Sequence, residues 1–292
     1  MLAQAEFIPR IPLDEWTESF VDFVTNSFAG FFNVLQAVIG LLVGTFQTIL
    51  LASPALVTIA VFAAIAVYLA DWRVALLTVA GLVFLISLDL WDNAMRTLAL
   101  VISSAIVALA IGIPVGIVAA QYRSVETAVR PVLDFMQTMP AFVYLIPAIL
   151  LLGLGNVPAL VATVIFAMPP AVRLTLLGIQ QVPKETVEAA QAFGATSWQT
   201  LLKVELPQAL PTIMTGVNQV IMLALSMVVI AGLIGAQGLG TEVVVGLTQL
   251  DVGRGFVGGI GIVVIAIILD RITRNVGRRD GRRGGAGLVK GG

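Results

Sequence analysis

The chain has 292 residues, 59% of them hydrophobic and 11% charged, with a mean hydropathy of +1.02 and a formal net charge of −1. Soluble domains carry roughly 45–50% apolar and about 25% charged residues, so this is the composition of an integral membrane protein, and its near-neutral charge argues against a nucleic-acid partner. The absence of Cys and His removes disulfides, thiol nucleophiles, most transition-metal sites and the usual general base.

At the N-terminus, "MLAQAEFIPRIPLDEW" lacks a basic stretch followed by an apolar run, and no cleavable signal peptide is expected. Residues 14–50 mix Asn26, Asn33, Gln36 and Gln47 into a Phe-rich apolar pattern. Such mixing suits an amphipathic helix lying in the outer membrane interface, which keeps Glu6, Asp14, Glu15, Glu18 and Asp22 outside. The alternative is an eighth span at 28–50, which brings them inside. The interfacial helix is the expectation, because acidic residues weigh little in membrane orientation.

Seven spans of about 20 apolar residues follow, at approximately 54–70, 73–90, 96–120, 133–152, 156–178, 209–235 and 256–275. Trp72 and Trp91 bracket the second, where indole rings favour the headgroup layers. With the C-terminus inside, thirteen Lys and Arg residues fall on the cytoplasmic side and three, Arg10, Arg96 and Arg254, on the other. That asymmetry predicts the orientation. It divides the chain into an extracytoplasmic segment (1–50), two first membrane helices (51–94), a membrane core (95–275) and a cytoplasmic Arg/Gly-rich tail (276–292). The tail composition predicts disorder or attachment to the membrane surface.

Within the spans, Gly112-x-x-x-Gly116 with Pro114, and Gly255-x-x-x-Gly259, are spacings that let helices approach closely; Pro114 and Pro147 also suit a hinge. Asn218, Gln219 and Ser226 share the sixth span with Met214 and Met222. Intramembrane polar groups face protein or a water-filled path, so these residues either line a solute pathway or bond between helices. No phosphate-binding loop, H-E-x-x-H or G-x-S-x-G motif occurs, which argues against an enzyme. Asp89, Asp92, Asp134 and Asp270 lie at span ends and read as interface residues. If solute moves uphill here, the energy enters from outside the chain.

The polar stretch about 183–207 offers a place for that. Pro183 and Glu185 favour a helix start, Gly194 suits a left-handed C-terminal cap, and Thr196 with Gln199 makes a capping box for a second short helix that Pro207 closes. "EAA" at 188–190, Gly194 six residues after Glu188, and "VELP" at 204–207 resemble the EAA loop of bacterial ABC importer permeases. "RPVLDFMQTMPAFVYLIP" (130–147), "GNVPALVATVIFAMPPAVRLTLLGIQQVP" (155–183), "LPQALPTIMTGVNQVIMLALSMVVIAGLIGAQGLG" (206–240) and "GIGIVVIAIILDRIT" (259–273) are similar to the permeases of glycine betaine/proline betaine importers.

The resemblance implies an all-α type I ABC importer transmembrane fold in a bacterial inner membrane. It implies a second permease copy, two cytoplasmic ATPase subunits that hold ATP and Mg, an external substrate-binding protein, and no cofactor on this chain. Glu188, Ala189, Ala190, Gly194, Thr196, Leu206 and Pro207 become the residues that couple to the ATPase. Met214, Asn218, Gln219, Met222 and Ser226 are the candidate pathway residues. The implied cargo is a quaternary-ammonium osmolyte, glycine betaine first, with choline, proline betaine and trimethylamine N-oxide as neighbours. A self-sufficient channel or secondary transporter is the alternative, and it leaves the polar stretch unexplained.

Overall fold

A backbone crossing hydrocarbon must satisfy its own N–H and C=O groups, and in the computed structural model, which describes residues 13–286, every element among the described residues is a helix. Arg10, Glu6 and Lys290, used in the charge reading, lie outside the described residues.

The N-terminal segment departs from the single interfacial helix expected over 14–50. It forms two helices, α1 (Leu13–Ser27) and α2 (Ala29–Ala52). With 24 residues, α2 is long and apolar enough to cross a membrane, the property that the eighth-span alternative requires. Gln36 shows why the pattern misled: its amide donates to the Leu152 carbonyl at 3.1 Å, so a polar residue that suggested water is met by protein.

The expected spans 54–70 and 73–90 are occupied by α3 (Ala55–Leu69) and α4 (Trp72–Ser87), of 15 and 16 residues. At 1.5 Å per residue these measure about 22–24 Å, short of a hydrocarbon core of about 30 Å. Asp71 caps α4, its carboxylate accepting from the N–H groups of Arg73 at 2.9 Å and Val74 at 3.0 Å. Next comes α5 (Trp91–Gln121), a 31-residue rod.

The expected span 133–152 is not one rod. Helices α6 (Arg123–Thr138) and α7 (Leu145–Leu152) are joined by a short 3-10 turn and meet at 107°. The break falls at Met139, whose ψ of 133° is the extended conformation that a following proline, Pro140, imposes. Helix α6 carries Arg123, Glu126, Arg130 and Asp134 three or four residues apart, which makes one face charged. Helices α8 (Asn156–Ala167) and α9 (Pro169–Gln180) form one 25-residue stretch, interrupted where Pro169 and Pro170 withhold their N–H groups.

The chain continues through α10 (Lys184–Ala192) and α11 (Ser197–Thr200) into α12 (Leu206–Leu233), then α13 (Leu239–Thr248) and α14 (Val252–Ala286). The backbone of α14 is helical through Ala286, ten residues beyond the expected start of a disordered or surface-bound tail at 276; residues 287–292 lie outside the described ones. Among the described residues five helices are long and apolar enough to span, or six if the bent pair counts as one. The difference from seven lies in the two short helices and the added α2.

Helix α9 is clamped between α5 and α12 by small residues. A Cβ on Gly116 would meet the Thr175 Cβ and the Val172 carbonyl at 2.7 Å, and one on Gly112 would meet Ala171 Cβ at 2.8 Å. On the other side Gly178 lies against Ala209, and Gly216 against Pro170. The Gly112/Gly116 spacing is thus a packing seam. The second spacing divides: Gly255 lies on Gly246 of α13, while a Cβ on Gly259 would meet nothing within 4 Å.

Candidate functional site

The polar stretch folds as its local chemistry dictates. Helix α10 buries none of its residues, so caps rather than a core hold its shape. At its C-terminus Gly194 adopts φ +85°, its N–H donating to Gln191 at 2.9 Å while the N–H of Ala195 donates to Ala190 at 3.1 Å. These two bonds are the paired closure of a Schellman motif. Thr196 then opens α11 with a capping box: its hydroxyl accepts from the Gln199 N–H at 3.3 Å, and the Gln199 side chain accepts from the Thr196 N–H at 2.9 Å.

Pro207 does not close this second piece. From Ser197 to Leu233 the helix is continuous, and residues Leu201–Glu205 widen into a π turn in which the Leu206 N–H reaches the Leu201 carbonyl. Pro207 cannot donate to the carbonyl four residues before it, and its ring would crowd that carbonyl in a regular α-turn. The wider turn accommodates both defects, so Leu206 and Pro207 begin α12. The hairpin is therefore one piece with α12, and it is also tied to α5 by Gln121, which donates to Glu205 at 3.0 Å.

Glu188 and Ala189 are exposed and Ala190 is half-buried. Glu188 borders a cleft of about 360 Å³ at the hairpin's base, together with Lys184, Gln121 and Glu205. Two aromatic residues absent from the expected set stand out: Phe193 is 93% exposed and Trp198 66%. Their signal in the sequence was large aromatics in a segment too polar to bury them.

A second site lies about 18 Å along α12, twelve residues from its start. A cleft of about 760 Å³ is bounded by α12, α9, α6 and α14, and four of the five expected pathway residues, Met214, Asn218, Gln219 and Met222, line it together. Ser226 is exposed but is not part of this lining; its hydroxyl donates to the Met222 carbonyl of its own helix at 3.0 Å. Asn218 does both things the sequence left open. It lines the cleft, and its amide donates to Asp270 of α14 at 3.1 Å while its carbonyl oxygen accepts from the Thr273 hydroxyl at 2.6 Å.

Asp270 is therefore no simple interface residue: its side chain is 16% exposed and also accepts from Arg274 Nε at 2.7 Å. Thr273 and Arg274 line the cleft beside it, and Gln137 enters from α6. Sequence spacing within α12 gave no hint of these partners, which lie more than fifty residues away.

At the far end of α12 the chain is stitched by other polar contacts. Arg96 donates to Gln237, and Glu242 accepts from Asn93 at 2.8 Å and from Arg254. Thus the two described arginines on the sparse side of the charge count are partnered at the end opposite the hairpin. No group of three or more metal-ligating side chains occurs among the described residues.

Residues 112–280 match the family described as binding-protein-dependent transport system inner membrane component. The chain is 48% identical over 279 residues to the glycine betaine transport system permease protein OpuAB of Bacillus subtilis, covering 96% of this chain and 99% of that one. It is 53% identical over 271 residues to the glycine betaine/carnitine transport permease protein GbuB of Listeria monocytogenes, with coverages of 91% and 96%. Among solved structures, an inward-facing conformation of the MetNI methionine ABC transporter superimposes with a TM-score of 0.57 at 22% identity, covering 65% of this chain and 95% of that chain. That likeness shows a shared all-α importer fold.

Proposed function

Because the chain belongs to the family of binding-protein-dependent transport system inner membrane components, we propose that two copies of it form the membrane pathway of an ATP-driven importer for zwitterionic quaternary-ammonium osmolytes, glycine betaine first among them. A chain of this family is a permease, with ATP hydrolysis on a separate subunit and cargo delivered by a substrate-binding protein. The named cargoes of its relatives, glycine betaine and carnitine, each join a quaternary ammonium to a carboxylate. That shared chemistry defines the substrate class carried over here.

The carrying observation is the capped hairpin between α9 and α12, whose first helix buries nothing and whose second is rooted in the bundle through Leu201. Its exposed Phe193 and Trp198 give the ATPase apolar knobs, and small Ala189 and Ala190 let the partner's groove close on the helix. The π turn joins the hairpin to α12 without a break, so a push on the hairpin moves the pathway wall.

A second copy is supported by α12 itself. Thr215, Gln219, Met222 and Ser226 are all exposed on one helical face, and polar side chains at membrane depth face protein or water rather than lipid. Facing a second copy encloses that stripe as a pathway. The hairpin and the arginine-rich end of α14 then lie in the cytoplasm, with Gln237 outside.

The test is reconstitution with the ATPase and the binding protein. Glycine betaine uptake is expected only with all three present, and the purified permease alone should neither bind nor hydrolyse ATP. Stoichiometric nucleotide binding by the isolated chain, or uptake without the ATPase, sinks the reading. Orientation has its own check in a chain without Cys: Gln237→Cys should react with an impermeant maleimide in intact cells, and Ser197→Cys only after lysis.

A further inference from the structure

We propose that Arg274 is the carboxylate-receiving residue of the α12 cleft, a subsite for the anionic end of the zwitterionic cargo. The inference rests on the importer reading above and adds to it a named residue and the half of the cargo that the residue meets.

Among the described residues that line the cleft, Arg274 is the one that carries a charge; the others are amides, hydroxyls, thioethers, prolines and a leucine. Its guanidinium is anchored at one corner, where Nε donates to Asp270 at 2.7 Å, yet the side chain is 67% exposed. A guanidinium has five N–H donors in a rigid plane, so holding Nε leaves the terminal pair free to meet a carboxylate side-on. The anchor is itself fixed. Asp270 accepts from Asn218, and Asn218 accepts from Thr273, so α12 and α14 together set the direction of the arginine.

Asp270 has a second consequence. An unpaired arginine on this wall would hold an anion more tightly. The neighbouring carboxylate cancels the net charge and weakens that hold, which suits a pathway whose sites must release what they accept. The methylated ammonium end is left to the polarisable thioethers of Met214 and Met222 on the same wall. Among the described residues no carboxylate is part of the cleft lining to trap it.

The test uses the whole transporter, with ATPase and binding protein, in proteoliposomes, and the permease–ATPase complex in nanodiscs for binding. The probes are glycine betaine, which has the carboxylate, and choline, which lacks it. In saturation-transfer NMR without binding protein, glycine betaine is expected to give a signal about threefold above choline, as befits an exposed charge contact. Arg274→Gln should bring glycine betaine down to the choline level and slow its maximal uptake, while Arg274→Lys should retain part of both. Assembly with the ATPase, checked by size exclusion, distinguishes this from misfolding. The proposal is overturned if Arg274→Gln leaves the betaine signal unchanged, or lowers both probes alike, which marks Arg274 as a clamp between helices. Absence of ATP-driven betaine uptake in the unsubstituted transporter sinks the importer reading itself, a separate outcome from the variant result.

Discussion

Two glycines, Gly194 in the hairpin and Gly240 at the start of α13, are constrained for opposite reasons. At Gly194 the constraint is the backbone angle: φ is +85°, yet a Cβ added there would meet nothing within 4 Å. At Gly240 the constraint is room, because a Cβ would lie 2.0 Å from the Val228 carbonyl oxygen of α12. The first belongs to an exposed element shaped by its own caps, the second to a crossing where two helices touch backbone to backbone. An element shaped locally can be redesigned without disturbing the bundle, and a crossing cannot.

The strongest way to break that comparison is Gly240→Ala. Since the clash is with backbone rather than the flexible end of a side chain, α12 and α13 must separate, and overpacking of this kind costs about 1–3 kcal/mol or more. Thermal unfolding of the purified permease in detergent should show a clear fall in Tm with reduced yield. An unchanged Tm means the crossing yields more easily than its geometry allows.

Gly194→Val should do the reverse, leaving insertion and Tm close to the unsubstituted protein while abolishing uptake. A left-handed backbone costs a non-Gly residue about 1–2 kcal/mol, and a β-branched one fits it worst. That strain frays or turns α10, which has no core of its own to resist it. Gly194→Asn sharpens the point, because Asn tolerates the left-handed region and should keep most of the transport. If Gly194→Val transports at the ordinary rate, the hairpin is not where the ATPase drives the membrane.

The same division sets what was legible in the sequence. The hairpin was readable because its determinants are neighbours: Gly194 after a helical run, and Thr196 with Gln199 three residues on. The one misreading there, Pro207 as a stop, overlooked that a π turn can absorb a proline's missing N–H and bulky ring and let the helix continue. Spans announced themselves by length and apolarity, but the apolar length of α2 was masked by Gln36, whose partner, Leu152, is more than a hundred residues away. In the cleft, polar residues on α12 marked one wall. Asp270, Thr273 and Arg274 looked like the ordinary polar end of a span, because the bonds that recruit them to Asn218 cross from α12 to α14. Contacts across helices leave no periodic trace in one sequence.

Glu188→Ala is the smallest and most discriminating change. The carboxylate is exposed at the edge of the cleft beside Lys184, in a helix that buries nothing, so its loss removes no core contact and leaves the Schellman closure at Gly194 and the capping box at Thr196 intact. An ion pair or hydrogen bond at such a site is typically worth about 1 kcal/mol or less, which corresponds to a few-fold effect. Uptake in proteoliposomes with ATPase and binding protein should therefore fall by roughly twofold to fivefold, with ATP hydrolysis and Tm little changed. The comparison with Gly194→Val then separates two ways of coupling. If shape transmits the stroke, the glycine variant is dead and the glutamate variant is slow. If Glu188→Ala abolishes uptake as well, transmission runs through a specific bond from that carboxylate to the ATPase, and the hairpin's geometry serves to aim it.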